Sequence, residues 1–133
     1  GILNIDTANK VALVGLGSLG SAILKYTGFG AYGLEISAVF DNDPVKIGKT
    51  VKNVKVEDVS KLSALKKKGI TLGIIAVPAD AAQAIAHGLV KAGIKGILNF
   101  APYYLDVPKK VKVISIDIAM VLARLPYYLP ASA

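Results

Sequence analysis

The sequence predicts a doubly wound α/β domain built on a mostly parallel β-sheet, and three observations support this fold class. Short runs rich in β-branched residues alternate with helix-like patterns, as expected for parallel strands joined by helices. A glycine-rich turn, GLGSLG at residues 15–20, joins the first strand pattern directly to a helix pattern. The run TLGIIAV at 71–77 is apolar on both faces apart from Thr71, which is typical of a central strand. At 133 residues, the chain has the size of one domain.

The elements follow one another in a regular order. The β-branched runs predict strands at 11–15, 35–40, 54–56, 71–77, 96–99 and 111–116. Helical periodicity predicts helices at 18–26, 58–67, 79–91 and 118–128. Pro78 precedes the third helix and Gly93 follows it, at positions that favour proline and glycine respectively. This alternation predicts the strand order 3-2-1-4-5-6 of a dinucleotide-binding Rossmann sheet.

The glycine turn has the spacing G-x-G-x-x-G between a strand and a helix. The first glycine of this motif permits the tight turn, the second lets a pyrophosphate approach the backbone, and the third lets the helix pack on the strand. Free N–H groups and the helix dipole would favour the phosphates at the start of the helix. The candidate cofactor-binding residues of the turn are Gly15, Gly17, Ser18, Leu19 and Gly20.

Asp41 closes the second predicted strand at the distance from the glycines where the fingerprint places a ribose-binding carboxylate. Its negative charge would repel a 2′-phosphate, so NAD(H) is favoured over NADP(H). Alternatively, Asp41 caps a turn in the segment FDNDP, although Asp43 before Pro44 fits that role better.

Two further loops follow predicted strands and would meet the glycine turn at the same edge of the sheet. One contains Val77 and Pro78, and the other contains Asn99, Phe100, Ala101 and Pro102. Asn99 and Phe100 either flank a nicotinamide or cap and plug the end of their strand.

Residues suited to catalysis are not found where this crevice would need them. The histidine, His87, falls in the middle of a predicted helix, and the chain contains no cysteine. No carboxylate pair has the spacing of a metal site, and no second domain would bring a substrate against the nicotinamide. We therefore expect no enzyme activity, no catalytic residues and no metal, and we interpret the cofactor as a signal.

The formal net charge of +7 raises the possibility of a nucleic-acid partner. Arg124 is the single arginine, whereas base recognition relies on bidentate arginine, and the lysines are spread along the chain. The sequence therefore does not predict a specific DNA reader. No apolar stretch is long enough to span a membrane, and the absence of cysteine fits the cytoplasm.

The predicted last helix is apolar nearly all round, with Ile118, Val121, Leu122 and Leu125 at helical spacing. Such a helix is normally buried. It either packs on its own sheet or docks on a second subunit by helix exchange.

With these residues identified, the chain resembles the C-terminal Rossmann domain of the Rex family of redox-sensing transcriptional repressors. The matching stretches are VALVGLGSLGSA, FDNDPVKIGK, VPADAAQ, SIDIA and, most specifically, AGIKGILNFAP, and the likeness spans essentially the whole chain. The resemblance implies competitive binding of NADH and NAD+, a homodimer with exchanged C-terminal helices, and release from DNA when NADH binds.

The resemblance also implies roles for individual residues. Tyr26 matches a tyrosine that meets an aspartate of the other subunit in the NADH state, and Asp117 matches that aspartate. Ile118 falls where the exchanged helix approaches the nicotinamide. Ser18 departs from the family, which often has Asn or Arg at this position.

The expected organisation is a linker remnant at 1–10, a dinucleotide-binding domain at 11–116, and a dimerisation helix and tail at 117–133. The family reads DNA through an N-terminal winged helix, which this chain lacks, so DNA binding is expected only of a full-length protein. Two alternatives stay open: a CoA-binding module using the same glycine turn, and the cofactor half of an NAD-dependent dehydrogenase.

Overall fold

The computed structural model describes residues 9–117 and 122–129. These residues form a seven-stranded sheet in the order β3-β4-β2-β1-β5-β6-β7. The strands are β1 (Asn9–Val14), β2 (Leu34–Asp41), β3 (Thr50–Val51), β4 (Val54–Asp58), β5 (Leu72–Ile75), β6 (Gly96–Asn99) and β7 (Lys112–Ser115). The α-helices with fully described bounds are α1 (Ser18–Lys25) and α2 (Ala79–Lys91). Short 3₁₀ helices span Gly28–Tyr32, Val59–Leu65 and Leu125–Tyr128.

The predicted strand order 3-2-1-4-5-6 is confirmed by β4-β2-β1-β5-β6-β7, which pair in parallel throughout. The sequence reading missed β3, which pairs antiparallel with β4 through a turn at Lys52 and Asn53. Both turn residues have positive φ, as a tight hairpin turn requires. A strand of two residues is too short to show a period in the sequence.

The sheet separates two apolar layers because successive side chains of a strand point to opposite faces. In β1, Ala12 and Val14 pack with the layer formed by α2 and the 3₁₀ helix Val59–Leu65. Val11 and Leu13 pack with the layer formed by α1. The predicted helix at 58–67 is corrected to this shorter 3₁₀ helix. It is interrupted at Lys61, and the Asp58 carboxylate accepts from the backbone N–H of Ser60 at its start.

The α1 face of the sheet is covered only in part. Over β5, β6 and β7 it carries an apolar depression of about 260 Å³, whose lining includes Leu72, Ile74, Leu98 and Ile114. Ile114 keeps 67% of its surface exposed. This part of the sheet is therefore an apolar surface that the described residues do not cover.

The predicted last helix is only partly described. Residues 122–124 are helical, and Leu125–Tyr128 is a 3₁₀ turn beginning beside Pro126, which has no N–H to continue an α-helix. Ile118 and Val121 lie outside the described residues. None of the described helices is long and apolar enough to cross a membrane.

Candidate functional site

The glycine turn lies at the carboxyl edge of the sheet, between β1 and α1, and two of its glycines are required by packing. Gly15 has a φ of +103°, and a Cβ there would collide with the carbonyl oxygen of Ala76. A Cβ on Gly20 would collide with the carbonyl oxygen of Gly15. The first and third glycines of the motif therefore permit the turn and the close approach of α1 to the sheet.

Gly17 differs from both. It has an ordinary φ of −72°, and a Cβ placed on it would meet no protein atom within 4 Å. Neither backbone strain nor protein packing accounts for a glycine at this position. The space above Gly17 opens to solvent at the start of α1, whose first N–H groups receive no capping bond from a side chain.

Asp41 lies at the end of β2 and is 9% exposed. Its Oδ2 accepts from the backbone N–H of Leu16 at 2.7 Å, and its Oδ1 accepts from the N–H of Asp43 at 2.9 Å. Asp41 therefore holds the glycine turn and also closes the turn that follows β2. Each carboxylate oxygen can accept a second bond, so the side chain retains capacity for a ligand hydroxyl.

Asp43 is the residue that caps the following turn, as its position before Pro44 predicts. Its Oδ1 accepts from the backbone N–H of Val45 at 2.9 Å.

Lys46 is a site residue that the sequence reading missed. Its Nζ donates to the carbonyl oxygen of Leu16 at 2.6 Å, and the Ser21 hydroxyl donates to the same oxygen at 3.2 Å. Leu16 thus has its N–H held by Asp41, its carbonyl held by Lys46 and Ser21, and its side chain buried. In the sequence, Lys46 follows Asp41 by five residues, but no known motif predicts that such a lysine contacts the glycine turn.

A cleft of about 300 Å³ opens beside this turn. Among the predicted site residues, its lining includes Gly15, Gly17, Asp41, Val77 and Pro78. Lys46, Asp43 and Ala76 contribute to the same wall. Ser18, Leu19 and Gly20 form the adjoining start of α1.

The loop after β6 lies at the same edge but outside the lining of this cleft. The Asn99 side chain is fully buried; its Nδ2 donates to the carbonyl oxygens of Ala101 and Tyr103, and its Oδ1 accepts from the N–H of Ala101. The N–H of Phe100 donates to the carbonyl oxygen of Ile75, which ties the loop to β5. Asn99 therefore shapes the end of its strand, and contact of Phe100, Ala101 and Pro102 with a cofactor stays a prediction.

The residues assigned to an interface are on the surface where they are described. Tyr26 is 58% exposed and packs edge-on against Phe29 at 4.8 Å between ring centroids. Asp117 is exposed after β7, and Leu122 and Leu125 are 61% and 52% exposed.

Other titratable groups do not form a catalytic cluster in the described part of the chain. His87 is exposed on α2, away from the cleft lining. Within residues 9–117 and 122–129, no three acidic or histidine side chains are grouped to hold a metal ion. The N–H of Ser60 lowers the pKa of the Asp58 carboxyl below 3.8 by bonding to its charged form.

Known proteins resemble this chain both in sequence and in structure. Residues 6–103 match the family model described as the CoA binding domain. The redox-sensing transcriptional repressor Rex of Carboxydothermus hydrogenoformans is 46% identical over 127 residues, which cover 95% of this chain and 61% of that protein. The chain thus spans about three fifths of the length of this curated relative.

Solved structures of RSP, a Rex-family repressor, have the same architecture. RSP in complex with β-NADH has a TM-score of 0.86 at 34% identity, covering 93% of this chain and 61% of that one. RSP in complex with β-NAD+ and operator DNA has a TM-score of 0.88 at 35% identity, covering 96% and 59% respectively.

Proposed function

Since this chain belongs to the CoA-binding-domain family and is similar to Rex repressors over nearly its whole length, we propose that it is an NADH- and NAD+-binding redox-sensing domain of a transcriptional repressor. In the full-length protein, NADH binding would release the repressor from DNA. The curated relatives are named as repressors, in agreement with a regulatory and non-enzymatic role.

The open space above Gly17 is the main support for this proposal. Two glycines of the turn are required by the protein's own backbone, whereas Gly17 is required by nothing within the described structure. A ligand that approaches the backbone at the start of α1 accounts for it. A dinucleotide pyrophosphate has the negative charge that helix N–H groups favour.

The surrounding residues complete the proposed cofactor site. Gly15, Gly17, Ser18, Leu19 and Gly20 would cradle the pyrophosphate. Asp41 would accept from the adenosine ribose hydroxyls, with Val77 and Pro78 bordering the cleft. The loop of Asn99, Phe100, Ala101 and Pro102 would lie on the nicotinamide side.

Two unpaired apolar surfaces support a homodimer. One is the uncovered sheet face over β5–β7, and the other is the C-terminal segment, where Leu122, Leu125 and Leu129 are each more than half exposed. Burying a large apolar side chain contributes about 1.5–3 kcal/mol, so exchange of this segment onto a partner's sheet would stabilise a dimer.

This dimer would use the organisation that the sequence predicts: a linker remnant at 1–10, a dinucleotide-binding domain at 11–116, and a dimerisation helix and tail at 117–133. Tyr26 of one subunit would meet Asp117 of the other in the NADH state. Ile118 and Val121 would join Leu122 and Leu125 at the interface. A transcriptional repressor of this kind would act in the bacterial cytoplasm.

A CoA ligand is the second candidate, because the matching family model is named for CoA. Asp41 argues against it. Its carboxylate is held at the end of β2 by the N–H groups of Leu16 and Asp43, whereas the ribose of CoA carries a 3′-phosphate that this charge would repel.

Calorimetric titration with NADH, NAD+, NADPH and CoA tests the proposal, with sedimentation run alongside. We expect NADH to bind more tightly than NAD+, NADPH or CoA, and the chain to sediment as a dimer. Gly17→Ala should weaken NADH binding at least about tenfold, or about 1.4 kcal/mol, without loss of thermal stability.

Gly30→Ala is the matched control, because a Cβ at Gly30 also meets nothing within 4 Å and lies away from the cleft. It should leave NADH binding unchanged. Binding of CoA alone, or equal NADH affinity in the Gly17 and Gly30 variants, would contradict the proposal.

A further inference from the structure

The fold separates charge between the two edges of the sheet. Because the principal strands are parallel, their first residues lie at one edge, the amino edge, and their last residues at the carboxyl edge. The carboxyl edge carries most of the described acidic residues: Asp41 and Asp58 end strands, Asp80 begins α2, and Asp117 follows β7. Glu35, near the start of β2, is the acidic residue at the amino edge among the described residues.

The amino edge carries lysines instead, at the start of four strands that are neighbours in the sheet. These are Lys10 in β1, Lys68 before β5, Lys95 before β6, and Lys110 and Lys112 at β7, all of them exposed. Backbone hydrogen bonds place neighbours side by side, since the N–H of Lys112 donates to the carbonyl of Lys95, whose own N–H donates to Thr71.

The C-terminal ends of the two α-helices add further positive charge to the amino edge. Lys25 lies in the last turn of α1 and Lys91 in the last turn of α2, and both helices run back from the carboxyl edge. The negative end of the helix dipole accounts for a lysine at each of these two positions. It does not account for the lysines that precede or begin the strands.

The spacing of these charges makes their fields add. Neighbouring strands lie about 4.8 Å apart, and the screening length at physiological salt is about 8 Å. Lysines on adjacent strands therefore act together on a polyanion. A lysine is a flexible point charge that suits a phosphate but does not read base edges with the two-bond geometry of arginine.

We propose that the amino edge of the sheet binds the phosphate backbone of duplex DNA without reading its sequence. The choice of DNA as the polyanion rests on the proposed function. The similar repressor RSP has been solved in complex with operator DNA. This surface would supply sequence-independent affinity, leaving recognition of bases to another part of a full-length protein.

Two double variants of this chain with equal net charge test the proposal. Lys67→Gln with Lys68→Gln removes two exposed charges from the turn before β5 at the amino edge. Lys49→Gln with Lys61→Gln removes two exposed charges from segments away from that edge: Lys49 lies beside Val56 and Lys61 near the start of the 3₁₀ helix after β4. The probe is a short fluorescently labelled duplex, followed by anisotropy between about 50 and 200 mM salt.

The amino-edge pair should lower affinity about tenfold at low salt and reduce the slope of log affinity against log salt by about 2. The matched pair should keep the slope of the wild type. A second duplex of unrelated sequence should bind equally well.

Equal losses in both pairs would show that net charge alone governs binding and would overturn the proposal. The absence of salt-dependent binding by the wild type, or a strong preference between the two duplexes, would overturn it as well. NADH affinity, measured on the same samples, should be unchanged in both pairs. A chain that binds DNA through this edge but does not bind NADH would contradict the proposed function and leave this inference standing.

Discussion

The two edges of the sheet hold their charged side chains in different ways. At the carboxyl edge, Asp41 and Lys46 lie against the peptide of Leu16, and each makes a defined hydrogen bond. At the amino edge, Lys67, Lys68 and Lys95 extend into solvent. A ligand at the first edge is recognised by shape and directed bonds, whereas a partner at the second is attracted by charge density.

This difference predicts how each edge responds to mutation. Stability and ligand affinity at a site held by directed hydrogen bonds and close backbone contacts should change when a single side-chain group is added or removed. A charged edge should respond to the number and position of its charges and to salt, with little change in stability.

Gly20→Ala should have the largest effect. The added Cβ would collide with the carbonyl oxygen of Gly15, a backbone atom that cannot move without opening the turn. We expect a loss of about 3 kcal/mol in the free energy of unfolding, together with loss of NADH binding. Urea denaturation measures the first quantity. Unchanged stability would show that α1 can move away from the sheet, and the turn would then not be preformed.

Asp41→Ala should come next. It leaves the buried N–H of Leu16 without its acceptor, which costs about 1–3 kcal/mol of stability. It also removes the proposed ribose acceptor, so NADH affinity should fall at least about tenfold.

Asp43→Ala is the comparison variant, because Asp43 also lines the cleft but its Oδ1 accepts from the N–H of Val45 in an exposed turn and does not contact the glycine turn. This variant should lose less stability and keep most of its NADH affinity. Titration of both variants distinguishes ligand contact from turn closure, and equal NADH affinities would contradict a ribose contact by Asp41.

Lys46→Met should have a moderate effect on binding. Without the ammonium group, the Leu16 carbonyl keeps only the weaker bond from Ser21, and the glycine turn loses one of its restraints. We expect a several-fold loss of NADH affinity, about 1 kcal/mol, and Lys46→Arg should restore most of it. If the methionine and arginine variants bind NADH equally well, Lys46 has no role in positioning the turn.

The smallest effect concerns Asp58 and pH. Its pKa is lowered in the folded chain by the N–H of Ser60, so its stabilising contribution is present above the ordinary value of 3.8 and is lost as pH falls through the lowered pKa. Asp58→Asn should therefore narrow the difference in Tm between pH 5 and lower pH. Parallel Tm curves for the wild type and the variant would count against this linkage.

The sequence allowed much of the carboxyl edge to be predicted, because its signals are local. Gly15, Gly17 and Gly20 occur at a fixed spacing, and Asp41 ends a strand at the expected distance from them. Helix α2 was predicted with its observed bounds, since it combines apolar periodicity with Pro78 before it and Gly93 after it. By contrast, β3 is too short to show a period, and the helix predicted at 58–67 is a shorter 3₁₀ helix, Val59–Leu65, interrupted at Lys61.

The different reasons for the three glycines could not be read from the motif. The motif does not distinguish the three glycines. In the structure, an added Cβ would meet a backbone oxygen at Gly15 and Gly20 but open space at Gly17. The bond between Lys46 and the Leu16 carbonyl likewise joins residues thirty positions apart. Such a contact depends on how the loop after β2 folds back against the glycine turn.

The alternation of strands and helices, the glycine turn and the carboxylate at the end of β2 are predictable from short segments of sequence, because they depend on neighbouring residues and short spacings. Which of these groups come into contact depends on the folded chain. Parallel strand direction brings lysines that are scattered in the chain, such as Lys10, Lys68 and Lys112, to one edge, and brings acidic residues to the other. Strand direction and order are set by burial of both sheet faces, and this burial involves residues far apart in the sequence.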